Sequence, residues 1–138
     1  MNRKKLGPSK RAGATTVEAA IALPILLLMI FAGWEFARVN MIRNTMDAAV
    51  YYAAREATLP GATVSKAFDR GTTELQNVGI NGASFEFTPS VISDDTSEVV
   101  VDLTVPVSQN SFGVTQFLTG KNLASSCTLS RELQPGTF

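Results

Sequence analysis

The sequence has no histidine and only one cysteine, Cys127, in 138 residues. Without histidine, the commonest general base and the commonest metal ligand are missing. A single cysteine excludes an intramolecular disulfide and any multi-cysteine zinc or iron–sulfur site. Charge is scarce as well, at 17 % of residues against roughly 25 % in an ordinary soluble protein. It is also unevenly placed. Five of the twelve basic residues, Arg3, Lys4, Lys5, Lys10 and Arg11, stand in the first twelve positions with no acid among them. The rest of the chain holds seven basic residues against twelve acidic ones, a net of −5. That balance argues against nucleic acid as a partner. The length suits one small domain rather than two.

What is present instead is a long apolar run. Ala19 to Trp34 are sixteen consecutive uncharged residues, and extending back to Ala12 adds a single charge, Glu18. As a helix, the 23 residues from Ala12 would reach roughly 35 Å, enough to cross a hydrocarbon core of about 30 Å. Trp34 at the far end suits an interfacial aromatic, with Glu35 and Arg38 marking the boundary beyond it. The basic cluster in front predicts a cytoplasmic N-terminus and an extracytoplasmic C-terminal body. A cleaved secretory signal would need a small-x-small site after the run, and Phe31-Ala32-Gly33-Trp34-Glu35 supplies a poor one. A plain signal anchor explains everything except Glu18, since a carboxylate within a span is costly and usually partnered.

The junction Lys10-Arg11-Ala12-Gly13-Ala14-Thr15-Thr16-Val17-Glu18 offers that partner. A basic leader ends in glycine, an apolar helix follows at once, and glutamate is the fifth residue after the glycine. This resembles the processing site of type IV prepilins, which a membrane peptidase cuts after the glycine on the cytoplasmic face. The continuation, Glu18-Ala19-Ala20-Ile21-Ala22-Leu23-Pro24 through Trp34-Glu35-Phe36-Ala37-Arg38, is similar to the TadE-like family, minor pseudopilins of the Tad (tight adherence) pilus. It shares the Gly-Ala-x-x-Val-Glu start, the Leu-Pro within the run and the acid-aromatic-small-Arg closure. It departs at Ala19, where many members carry an aromatic residue. The resemblance covers about residues 11 to 38; past them it is limited to general layout and the closing Ser-Cys-Thr-Leu-Ser-Arg-Glu.

The resemblance implies a cleavage site between Gly13 and Ala14. It also implies prepilin peptidase, other pilin-like subunits and pilus assembly proteins as partners, and membrane lipid around the helix. No cofactor or metal is expected. The location implied is the bacterial inner (cytoplasmic) membrane, with possible incorporation into a surface pilus. Independently of any family, cutting after Gly13 would remove all five leader charges and free an amine on Ala14. In a low-dielectric assembly that amine needs a counter-charge, and Glu18, four residues along, can supply it to its own chain or a neighbour. The alternative is that Glu18 only favours the positive end of the helix dipole. Pro24 removes one backbone donor, which predicts a kink or is simply tolerated in a membrane helix.

Beyond the run the helical pattern continues, giving one helix over roughly Ala14 to Thr58 before Pro60-Gly61 breaks it. Ala37, Met41, Thr45, Ala48 and Tyr52, spaced by three and four, predict the stripe that faces the domain core, with subunit packing as the alternative. Glu35 and Arg38, three apart, can pair on the other side. A second helix is predicted over about Thr63 to Asn77, with Val64, Ala67, Phe68, Leu75 and Val78 on one face and Gly71 a weak point. After the turn Gly79-Ile80-Asn81-Gly82 the pattern becomes strand. Ala83–Thr88 alternates around Phe85 and Phe87. Glu98–Val107 puts Val99, Val101, Leu103, Val105 and Val107 on one face, and Leu123–Leu133 is the third strand. Ser93-Asp94-Asp95-Thr96 reads as a turn rather than a metal site. Phe112, Val114, Phe117 and Leu118 suit a connecting segment or short helix.

The expected fold is α+β: a transmembrane helix leading into a small domain of a second helix and a three-stranded antiparallel sheet. The expected divisions are a cleaved cytoplasmic leader (1–13), a transmembrane helix (14–37) and an extracytoplasmic TadE-like domain (38–138). Two functions compete. One is a minor pilin-like subunit cut after Gly13 that acts in pilus assembly or adhesion. The other is an uncleaved, membrane-anchored envelope protein whose outer domain binds or chaperones a partner. Catalysis finds no support, because Lys66 and Lys121, the available non-carboxylate bases, lack a paired serine motif. Cys127 reads as a small buried hydrophobe, or else as an intermolecular disulfide outside the cytoplasm.

Overall fold

The computed structural model describes residues 11–93, 95–111 and 120–131. The elements are α1 (Arg11–Thr58), α2 (Val64–Asn77), β1 (Ser84–Thr88), β2 (Glu98–Pro106) and β3 (Asn122–Ser130). The three strands form an antiparallel meander in the order β1-β2-β3. This is the expected α+β layout. The basic leader residues 1–10, Asp94, the Phe112–Leu118 segment and the last two residues predicted for the third strand lie outside the described residues.

Contacts divide the chain into two units, one ending at Trp34 and the other running from Glu35. Within the first unit, α1 is a single helix whose side chains from Gly13 to Trp34 are all exposed, and it continues as helix through Pro24. The helix begins at Arg11, three residues ahead of the expected Ala14. Nothing in Ala12-Gly13-Ala14 stops a helix, because an interior glycine only weakens one, by about 1 kcal/mol relative to alanine.

The second unit holds the core. β2 is the central strand, and Val99, Val101, Leu103 and Val105 are fully buried on one face, as their period of two predicts. Full burial of such a side chain contributes about 1.5–3 kcal/mol relative to exposure. Phe85 and Phe87 on β1 oppose Leu103 and Val101, and Cys127 and Leu129 on β3 oppose Val101 and Val99. β2 ends one residue early. Pro106 closes the strand, and the buried Val107 opens a 3-10 turn that Asn110 N–H closes on its carbonyl at 3.0 Å.

On α1 the core face is not the predicted stripe. Ile42, Met46, Ala49 and Ala53 are buried, each one residue after Met41, Thr45, Ala48 and Tyr52. One residue is about 100° around the helix. Both stripes repeat by three and four, and the branched Ile42 and the small Ala49, Ala53 and Ala57 fit close against the other layer. Tyr51 and Tyr52 remain outside, edge to face with each other at 5.7 Å, and the Arg70 guanidinium lies 4.8 Å from the centre of the Tyr52 ring.

α2 starts where Thr63 caps it, its hydroxyl accepting from Lys66 N–H at 3.4 Å. It ends in a Schellman closure. Gly79 adopts φ +70°, its N–H donates to Gln76, and Ile80 N–H donates to Leu75, both at 3.0 Å. Ile80 and Leu75 are buried together in the core cluster, the apolar contact that accompanies this motif. Gly71 is a notch rather than a weak point. A Cβ there would lie 2.7 Å from the tip of the Phe85 ring and 3.1 Å from Ala53 Cβ, so α2 can approach both α1 and β1 closely.

Candidate functional site

The predicted site residues fall in both units. In the first, Ala14 and Glu18 are one turn apart on the same side of α1, as an i, i+4 pair must be. Gly13 sits inside the first turns of the helix, exposed, with nothing within 4 Å of where a side chain would begin. Trp34, which closes this unit, is 63 % exposed. An apolar surface this extensive, with Leu28 at 65 % and Met29 at 70 % exposure, is what a lipid environment would cover.

In the second unit, Glu35 and Arg38 take positions that sequence spacing does not convey. Glu35 is 3 % exposed. Arg38 is half-buried and reaches across the domain. Its Nη1 and Nη2 donate to the carbonyls of Val78 and Gly79 at 3.5 and 3.4 Å, and its Nε donates to the Asn110 carbonyl at 3.3 Å. The C-terminal end of a helix leaves carbonyls without intrahelical partners and carries partial negative charge. Arg38 therefore acts as a cationic cap on α2, delivered from α1.

Asn110, which sequence reasoning missed, completes this node. It is 6 % exposed. Its side-chain oxygen accepts from Asn81 N–H at 2.7 Å, and its amide nitrogen donates to the carbonyls of Asn81 at 2.8 Å and Pro106 at 2.9 Å. A buried amide with both ends satisfied holds the turn after α2 against the turn after β2. No local signal marks it, because Asn81, which it holds at both ends of its amide, is 29 residues away.

The displaced stripe on α1 has its own surroundings. Ala37, Met41, Thr45 and Ala48, with Asn77 of α2 and the following Val78, line an open groove of about 550 Å³. On β3, Ser125 Oγ donates to Asp47 Oδ1 at 2.6 Å, joining that strand to α1. Cys127 is half-buried on the core side of β3, where burial pushes the thiol up from its ordinary pKa. Among the described residues there is no cluster of three or more potential metal-ligating side chains.

One helix long and apolar enough to cross a membrane, followed by a small α+β domain, gives the chain the layout of a single-pass anchored α+β protein. Over residues 13–55 the chain matches the model of the TadE-like protein family. The segment 13–55 is thus similar to that family, which is structural and associated with the Tad pilus. No curated protein and no solved structure matches the chain.

Proposed function

We propose that this protein is a minor pilin-like subunit of a Tad-type pilus. It is inserted through α1 with its N-terminus in the cytoplasm, cut by a prepilin peptidase after Gly13, and active in pilus assembly or adhesion. The carrying observation is that the TadE-like match begins at residue 13, the glycine itself, and runs through the whole apolar stretch. Hydrolysis of the Gly13–Ala14 amide consumes one water and leaves a carboxylate on Gly13 and an ammonium on Ala14. The ammonium belongs on the helix face that carries Glu18. A peptidase takes its scissile peptide in a locally unwound form, and this bond, though exposed, lies within helix. Glycine, with no side chain and poor helix propensity, makes local unwinding cheaper. No catalytic role is assigned to the chain itself; it is a peptidase's substrate and a structural part.

Intact mass of protein isolated from its native host tests the reading. Loss of residues 1 to 13 is the expected result. Gly13→Val should leave the chain at full length, because a β-branched side chain then stands at the scissile carbonyl. A full-length wild-type chain would instead fit an uncleaved anchor whose outer domain serves a partner, and normal trimming of the Gly13→Val variant would sink the assignment of the site.

A further inference from the structure

The two edges of the sheet are built differently. β1 is five residues long, carries the exposed Glu86 at its centre, and is followed directly by Pro89. These are the features by which natural sheets discourage strand addition. β3 has none of them. Its nine residues, Asn-Leu-Ala-Ser-Ser-Cys-Thr-Leu-Ser, include no charge and no proline.

The ladder shows which backbone groups that edge leaves open. At one end Val107 N–H donates to the Lys121 carbonyl at 3.0 Å, and at the other Arg131 N–H donates to the Ser97 carbonyl at 2.8 Å. Antiparallel bonding alternates along a strand. Leu123, Ser125, Cys127 and Leu129 therefore exchange bonds with β2. Asn122, Ala124, Ser126, Thr128 and Ser130 turn their N–H and C=O groups away from it. Among the described residues no hydrogen bond reaches these outward groups. Their side chains are small, uncharged and exposed.

We propose that the outer edge of β3 is a self-recognition surface. On it a second copy of this chain adds its own β3, antiparallel about a two-fold axis at Cys127, to make one continuous six-stranded sheet. Absence of charge allows two copies of the strand to approach without repulsion, and the guarded edge at β1 stops growth at two. The flanking cations select the register. An axis at Ser126 would set Lys121 directly opposite Arg131 of the second copy, a like-charge pair that destabilises a sheet. An axis at Cys127 pairs Ala124 with Ser130, Ser126 with Thr128, and Leu123 with Arg131, removing that conflict. The four pairs formed by Ala124, Ser126, Thr128 and Ser130 contribute about eight backbone hydrogen bonds, two per pair. The two Cys127 residues then face each other at a non-hydrogen-bonded position, with Cα atoms about 4.5 Å apart. The surface is independent of cleavage after Gly13.

The full-length protein in detergent, kept reduced, provides the test. A short bis-maleimide, which adds one thiol at each end and needs no oxidant, should join two chains through Cys127. Light scattering should give the mass of two chains per particle. Ser126→Pro removes an outward N–H without touching the β2–β3 ladder and should lower the cross-linked yield about tenfold or more. Should that variant fail to fold, Ser126→Lys combined with Thr128→Lys places four cations on the outer face of the joint and should do the same. A single-chain mass for the wild type overturns the proposal. So does undiminished cross-linking in either folded variant, which would assign the pairing to another surface.

Discussion

Arg38 shows how one side chain ties three segments of the fold. Its guanidinium supplies donors to carbonyls at the end of α2 and after β2. Arg38→Ala leaves those carbonyls at a partly buried helix end without their cation. The expected loss is about 2 kcal/mol, taking hydrogen bonds to charged groups at roughly 1.5–3 kcal/mol and discounting the long distances here. Chemical denaturation of the full chain in detergent, followed by circular dichroism, measures it; an unchanged midpoint would show that water replaces the guanidinium at no cost. Lysine should recover part of the loss, since it keeps the charge but not the fork of donors. The acid-aromatic-small-Arg closure of the TadE-like pattern thus has a structural use at its last residue in this chain.

At the scale of elements, the tightest fit is the crossing at Gly71. Gly71→Val would drive methyl groups into the Phe85 ring and against Ala53 Cβ, so one of these neighbours must shift. Overpacking of this kind costs about 1–3 kcal/mol, to which a β-branched residue in a helix adds a little. A lower thermal midpoint with unchanged helical content is the expected signature; a variant as stable as wild type would mean that Phe85, half-exposed, swings clear. The elements themselves were legible because their signals are local. β2 alternates strictly, Thr63 and Pro60-Gly61 bracket the start of α2, and Gly79 marks its end. The facing of α1 was not legible. Two stripes one residue apart both satisfy helical spacing, and only contact with α2 and the sheet distinguishes them. The same holds for Gly71, Arg38 and Asn110, whose roles rest on partners far along the chain. The proposed cleavage site was readable at once, because glycine, amine and glutamate are related by position along one helix.

At the scale of the whole molecule, charge is the organising variable. The apolar helix from Ala19 to Trp34 carries none, and Glu18 stands at its head, so the proposed assembly role of this residue can be separated from insertion. Removing a carboxylate from a span makes insertion easier, not harder. The proposed cleavage would depend on Gly13 and on access to its carbonyl, and should survive as well. What Glu18→Ala would remove is the proposed counter-charge for an amine freed on Ala14. An ammonium buried among neighbouring helices without its partner is strongly unfavourable, so association should weaken by roughly a hundredfold or more. The variant should accumulate as a trimmed membrane protein that co-purifies poorly with other pilus components. Glu18→Gln should behave like alanine, because an amide keeps the shape but not the charge. Glu18→Asp should restore part of the assembly, since it keeps the charge on a shorter arm. Assembly of Glu18→Ala at wild-type levels would reduce Glu18 to a residue that merely favours the start of the helix.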